Sequence, residues 1–405
     1  MKTLLSRFAA ASIAAVFVAA ASAQRPVCEV LLRDGRALAA DRLQGSARGS
    51  WQLTTARGTE TVDAGMVLAV LGTKVADSPL PAAHLAAGDV VRGLLVSGDT
   101  GGDTMVLQSP VLGRLQIPID RLECLLLRPQ EARANDLVLP EGAAEALFLP
   151  ASLGFDRLTG TLHQFGEQGV RFQSDADAEP RWLSPRDLVG LRLSGAAAPS
   201  ELPIAEMCTR AGDRIGLAAF TFDGAGLRCT LEGGVEANVN LADLGCLLRL
   251  DVGAVHVSRL EPSRVAEAAF AGDVLMPWRR DLAVSSSMLA AAGRCYARGL
   301  GVHSRSRLQF VVPDGMGVFL TRVAFDDAAL QLPVRGHVAV AVRIEGAGKP
   351  LNHELTAGGP VLTLGPIDVV PGQVLSLEVD FGKGRDLGDR VDWLLPMFLP
   401  KAAAK

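Results

Sequence analysis

Four hundred and five residues, 49% hydrophobic, 21% charged and 5% aromatic, have the balance of a folded protein with two or three cores and exclude a largely disordered chain. Forty Lys and Arg against 44 Asp and Glu leave a net charge of −4 without a basic stripe, which argues against a nucleic-acid partner. With 43 Gly and 22 Pro, the composition favours many short strands joined by turns over long helices, so the expected class is all-β.

The chain opens on Lys2 and Arg7, an apolar run over residues 8–18, and Ala21-Ser22-Ala23 before Gln24, the three parts of a secretory signal peptide with cleavage expected after Ala23. That run is shorter than the roughly 20 residues needed to span a bilayer, and no spanning run follows it. The mature chain is therefore expected to be secreted or periplasmic, where Cys28, Cys124, Cys208, Cys229, Cys246 and Cys295 meet conditions that permit disulfides. None forms a CxxC pair, which argues against a zinc cluster or a thioredoxin-like site. One to three structural bridges and six buried free thiols are the two readings left open.

From residue 28 to residue 250 one frame recurs four times, near 28–72, 84–128, 146–195 and 204–250. The second copy is the clearest: Gly88-Asp89-Val90-Val91-Arg92-Gly93-Leu94, then Thr104-Met105-Val106-Leu107-Gln108, then Gly113-Arg114-Leu115-Gln116-Ile117-Pro118, then Asp120-Arg121-Leu122. The fourth repeats it from Gly212-Asp213-Arg214-Ile215 to Asp243-Leu244-Gly245-Cys246-Leu247. Short strands separated by Gly, Asp, Ser and Pro turns are what these strings encode, and a unit of about 45 residues is too small to bury much alone. The expected organisation is one pair of repeats over 24–128, a linker over 129–145 carrying Pro129, Asn135, Asp136 and Pro140, and a second pair over 146–250. The units resemble small Sm-like or SH3-like barrels, and a four-bladed propeller is the competing arrangement. Repeat register alone suggests bridges Cys28 to Cys124 and Cys208 to Cys246.

Beyond residue 251 the frame stops. Gly293-Arg294-Cys295-Tyr296-Ala297-Arg298-Gly299-Leu300-Gly301-Val302-His303-Ser304, followed by Ser306-Arg307-Leu308-Gln309-Phe310, resembles the "Y.kGLGvHa.S.l.y" core of the NPCBM family. Residues 319–327, 336–346 and 374–380, and Gly388-Asp389-Arg390-Val391-Asp392-Trp393, resemble the later motifs of that family in the same order. Ala324, Phe325, Glu345, Arg390 and Val391 depart from its preferred residues. The resemblance covers about 251–400, leaves 401–405 as a tail, and implies a galactose-binding-like jelly-roll sandwich that binds carbohydrate through loops at one end. The alternating runs His337 to Ile344 and Val374 to Val379 independently suit sandwich strands.

His303, Arg305, Asp326 and Trp393 are the carbohydrate-binding candidates. His303 reads first as a residue that stitches two strands and Trp393 as core, with ligand contact as the second reading of each. Asp326, Asp327, Asp389 and Asp392 read first as solvated turn carboxylates; the second reading has them converge on a structural calcium ion, which takes several hard oxygens. No HExxH, GxSxG or P-loop occurs, and no two of the six histidines have metal-ligand spacing, so no enzyme is expected. The expected protein is a secreted, non-catalytic carbohydrate binder with the repeats as scaffold. The alternative is an envelope structural protein whose repeats contact protein partners and whose sandwich binds no sugar.

Overall fold

The structure, a computed structural model, describes residues 27–73, 78–86, 88–99, 101–197, 201–224, 226–231, 234–271, 275–346 and 348–401. The signal-peptide expectation over 1–23 lies outside the described residues. The fold is all-β, with short 3-10 turns. No helix among the described residues is long and apolar enough to cross a membrane.

The four repeats share one topology. In the first, Cys28–Leu32 pairs with Ala37–Ala40 on one edge and with the closing strand Val67–Leu71 on the other. Ala82–Leu85 does the same with Val90–Arg92 and Leu122–Leu126, and Glu145–Pro150 with Phe155–Gly166 and Gly190–Leu193. In the fourth, Ala205–Thr209 pairs with Arg214–Gly224 and Leu244–Arg249. The last strand returns to the first, as in a small barrel; a propeller blade would leave its last strand at the outer edge. Two local devices recur with the topology. The turn after the first strand holds Gly35, Gly88, Gly154 or Gly212 at φ 85, 80, 78 or 89°, a left-handed conformation that glycine adopts without steric penalty. A 3-10 turn precedes every closing strand, at Ala64–Met66, Ile119–Arg121, Pro185–Asp187 and Leu241–Asp243. Asp63 caps the first of these through Gly65 N at 2.7 Å.

The repeats do not pair with their sequence neighbours as expected. Val67–Leu71 of the first lies against Leu244–Arg249 of the fourth, and Leu122–Leu126 of the second against Gly190–Leu193 of the third. Closing strands such as Val67-Leu68-Ala69-Val70-Leu71 are buried along their whole length, so they need a partner unit on the free face, and apolarity does not specify which. The choice is made by packing elsewhere: Trp51 of the first repeat is fully buried, with its ring centroid 5.2 Å from that of Phe222 and 6.2 Å from that of Phe220. One hydrophobic core runs through all four units. The expected linker is packed rather than free, with Ala132 and Leu137 buried beside Phe148 and Val189.

The C-terminal third is a two-sheet sandwich, as expected. One sheet runs Arg279–Arg280, Gly299–His303, Arg390–Pro400, Met316–Phe325, Leu362–Asp368; the other runs Arg264–Glu267, Ser306–Val311, Val374–Phe381, His337–Ile344, Leu351–Thr356. Val302, Phe310, Phe319, Val340, Leu377, Trp393 and Phe398 fill the space between them. The first sheet is also covered on its outer face. Leu320, Leu394, Met397 and Leu399 pack against Leu31, Leu68, Ala69 and Leu248 of the repeats, so Arg390–Pro400 is buried on both sides at nine consecutive positions.

Charged groups stitch this seam. Arg298 pairs with Glu206 and, at 2.7 Å, with Asp281, while Arg214 pairs with Glu206 at 2.8 Å and Asp281 at 3.5 Å. Arg322 pairs with Glu29 at 2.6 Å and donates to the Tyr296 hydroxyl at 3.1 Å. Arg33 Nη2 donates to the Val252 carbonyl at 2.6 Å, and Arg294 Nη1 to that of Val27 at 2.9 Å.

All six cysteines are buried free thiols. Repeat register misplaced the pairing of Cys28 with Cys124: Cys28 points into the shared core and donates to the Ala40 carbonyl at 3.3 Å, while Cys124 belongs to the separate cluster around Phe148. Cys208 and Cys246 do face each other, as direct partners across neighbouring strands.

Candidate carbohydrate-binding site

At one end of the sandwich the loops after Gly299–His303 and Val374–Phe381 meet the segment that follows Arg264–Glu267. The Ala268 and Arg305 backbones exchange two hydrogen bonds, Ala268 N to the Arg305 carbonyl at 3.0 Å and Arg305 N to the Ala268 carbonyl at 3.1 Å. This holds Phe270 at the rim, where its own N–H donates to Asp386 Oδ2 at 3.0 Å. The Phe270 ring is 46% exposed and rests edge-on against Phe381, centroids 5.2 Å apart at 85°. The Arg385 guanidinium lies 5.2 Å from the Phe270 centroid. Arg305 and Asp380, both well exposed, pair at 3.4 Å beside a recess of about 280 Å³ that they line with Glu267, Ala268 and Arg307. An exposed aromatic face held from behind, with donors and acceptors around it, matches a pyranose ring, whose apolar C–H face and hydroxyl edge alternate.

Behind the rim a polar brace fixes the loops. Asp389 is fully buried; its Oδ2 accepts from Ser304 Oγ at 2.6 Å and its Oδ1 from His337 N at 3.0 Å. His337 Nδ1 accepts from Lys383 N at 3.2 Å, and its Nε2 lies 3.5 Å from Glu354. His303 is half-buried, with Nδ1 2.8 Å from the Ser304 carbonyl. Of the four sequence candidates, the structure thus brings Arg305 to the exposed rim and His303 to its edge.

The other two are displaced. Trp393 is fully buried in the core between the sheets, because its strand is covered on both faces, so no ring face is left for a ligand. Asp326 is 1% exposed; its Oδ1 accepts from Ala328 N at 2.7 Å and caps the turn Asp327–Gln331. The aspartates also fail to converge as a calcium cage. Asp389 gives both oxygens to the loop brace, Asp327 Oδ2 accepts from Gly293 N at 2.8 Å, and among the described residues no group of three or more His, Cys, Asp or Glu side chains could hold a metal ion. Phe270 was the residue that sequence reasoning passed over. It lies outside any alternating strand pattern, and only its place in a turn-rich stretch, where an apolar ring has no strand face to bury it, hinted at exposure.

Asp326 and Asp392 instead form a buried carboxyl pair. Burial, then the neighbouring charge of Asp326 and a shared hydrogen bond, push Asp392 well above the usual carboxylate range. An acid whose folded pKa is raised binds its proton more tightly folded than unfolded, so stability falls as pH rises from about 4 through the folded value. Asp392→Asn keeps the shape without the titration. Thermal melts of the two proteins should coincide near pH 4 and separate as pH rises, the variant melting higher; parallel curves would exclude the coupling.

A second opening, a trough of about 710 Å³ over the outer face of the sheet containing Val374–Phe381, is lined by Arg264, Arg307, Arg343 and Glu378. Glu378 is clamped between Arg307 at 2.9 Å and Arg343 at 2.8 Å, and no aromatic side chain lines the trough. Such a ladder of cross-strand ion pairs is the ordinary furnishing of a solvated sheet face.

Among solved structures, the chain is similar to a CBM51-2 module bound to GlcNAc with INT domains from Clostridium perfringens ZmpB, at 19% identity and TM-score 0.31, over 45% of this chain and 37% of that one. It is similar to CBM51 from Clostridium perfringens GH95 bound to methyl-galactose, at 16% identity and TM-score 0.30, over 36% and 99%. Tandem CBM51 modules of the family 98 glycoside hydrolase Sp3GH98 from Streptococcus pneumoniae SP3-BS71 match at 12% identity and TM-score 0.31, over 79% and 88%. The chain thus spans 37% of the first of these relatives. No curated protein matches it. The family described as NPCBM/NEW2 domain matches residues 253–399, the two-sheet sandwich with its loop end.

Proposed function

We propose that the protein is an exported, non-catalytic carbohydrate binder whose site is the loop end of the sandwich, with Phe270 as the stacking face and Arg305, Asp380 and Arg385 as partners for ring hydroxyls. The observation that carries this reading is the exposed Phe270 ring, braced by Phe381 and bordered by charged side chains. The match of residues 253–399 to the NPCBM/NEW2 domain supports it. A binder fits better than a hydrolase because the acids at this end are already committed: Asp389 to Ser304 and His337, Asp386 to the Phe270 backbone, Asp380 to Arg305. The four repeats act as the mount, and export rests on the leader-like residues 1–23.

The test is glycan-array screening of the full chain followed by calorimetric titration of the best hit. Phe270→Ala should weaken that binding by about tenfold or more, the worth of one good stacking contact, without lowering the melting temperature. Wild-type protein that binds nothing across a broad array, or an alanine variant that binds like wild type, would sink the reading.

A further inference from the structure

The recess beside Phe270 is not closed at its far end. Arg307 and Glu378 line it and also line the larger trough, so the two openings form one furrow down the outer face of the sheet that contains Val374–Phe381. Along that strand Asp380 borders the recess, Glu378 the junction, and Ser376 and Val374 the trough. From Asp380 to Val374 is a run of about 20 Å at the usual rise of an antiparallel strand. That is several times the length of one sugar ring. Arg264, on one edge strand, borders the trough on one side, and Gly348 and Pro350, from the turn between His337–Ile344 and Leu351–Thr356, border it on the other.

Ion pairs on a solvated sheet face are ordinary; here they continue a candidate site and hold its donors in place. Glu378 takes the Nε of Arg307 at 2.9 Å and that of Arg343 at 2.8 Å, and Asp380 lies 3.4 Å from the Nε of Arg305. All three arginine side chains remain about half exposed, which leaves their terminal N–H groups open to a ligand. On the floor, Gln309 Nε2 donates to Ser376 Oγ at 2.9 Å. Donors fixed before binding lose little freedom when a ligand arrives.

We infer that the furrow continues the sugar site, and that the protein recognises an internal stretch of a neutral, linear oligosaccharide of three or more units in preference to a single terminal sugar. This rests on the reading of the loop end as a sugar site. Phe270 stacks one ring, and the hydroxyls of the rings that follow bond the arginines and Gln309. Neutrality follows from the lining, where four arginines stand against four acids and leave no net charge to attract an acidic chain. No aromatic side chain lines the trough, so the rings beyond the first are held by hydrogen bonds alone.

The test is calorimetric titration of the full chain with ladders of one to five units: cello-, xylo-, manno-, galacto- and chito-oligosaccharides, with oligogalacturonates as the acidic series. In at least one neutral ladder, affinity should rise about tenfold between one unit and three or four, then level off. Arg343→Ala, checked for an unchanged melting temperature, should abolish that rise and leave the affinity for a single unit as it was. Phe270→Ala should weaken every length. Equal affinity for one unit and for five overturns the inference and leaves the Phe270 site standing. A rise that survives in Arg343→Ala puts the further rings elsewhere and also overturns it, and tighter binding to oligogalacturonates than to every neutral ladder overturns the neutral assignment. Binding to none of the ladders overturns the inference as well, and the glycan array alone then decides the loop end.

Discussion

Replacing Arg298 by alanine is expected to cost the folded protein about 3 kcal/mol, because the change takes from two buried acids the more deeply buried of their two arginine partners. The Arg298 side chain is 5% exposed and bonds both Glu206, 9% exposed, and Asp281, 11% exposed. Arg214 reaches the same two acids but is more open, and it cannot fill the space the larger loss would leave. Guanidinium denaturation of the full chain reads the effect; a loss below about 1 kcal/mol would mean the network is worth no more than a surface ion pair. Arg343→Ala, which removes one exposed partner of Glu378, is the control and should stay within that smaller range. The network also sets a pH dependence of the opposite sign to that of Asp392. Burial alone would raise Asp281, but Arg298 and Arg214 outweigh it and hold the carboxyl below its usual value. Stability from this acid is therefore complete above about pH 4 and is lost as pH falls further through the folded value.

Trp393→Ala should destabilise the protein by about 3–5 kcal/mol, the usual cost of emptying a buried indole site. Its backbone lies between Leu300 and Val323 in the first sheet, and its ring is wholly inside the sandwich core. Gly299, directly behind it, has no room for a side chain: a Cβ there would sit 2.4 Å from the Trp393 carbonyl oxygen. The diagnostic result is a split between stability and binding. Denaturation should show the full loss, while glycan affinity, measured at a temperature where the variant remains folded, stays close to wild type. Affinity lost in a folded Trp393→Ala protein would return the residue to the binding site, against its burial.

The repeats were legible because two independent local signals coincide in each copy. A Gly-containing turn must follow the first strand, and an apolar closing strand must find cover; both show as letters at a fixed spacing. Which unit supplies the cover was not legible, since Val67–Leu71 and Leu122–Leu126 are equally apolar and either would satisfy either partner. The decision rests on the aromatic cluster of Trp51 with Phe220 and Phe222, three residues from two distant copies whose meeting no periodicity records. The sandwich was legible from its ordered motifs and alternating strands. The core reading of Trp393, which the structure bears out, is visible in the run around it. From Val391 to Leu399 the chain carries only one charged residue, Asp392, among apolar neighbours, and such a run marks a strand with two dry faces, where an indole is core by default. The aspartates were read as solvated turn carboxylates or as a calcium cage, and Asp326, Asp389 and Asp392 are buried instead. Asp326, Asp327 and Asp389 are each engaged by a backbone N–H or hydroxyl, while Asp392 lies buried inside the strand Arg390–Pro400.

The outer face of the first sheet, dry because the repeats cover it, limits how this module can travel. A carbohydrate-binding domain that floats on a tether can be shuffled between proteins, since each of its surfaces is finished. Here Leu320, Leu394, Met397 and Leu399 would be stripped of cover by cutting near residue 251. The excised piece would carry an exposed greasy wall and unmatched arginines, prone to clumping. The stretch that matches the family model is accordingly smaller than the unit whose apolar faces are all covered, which runs from Cys28 to Pro400.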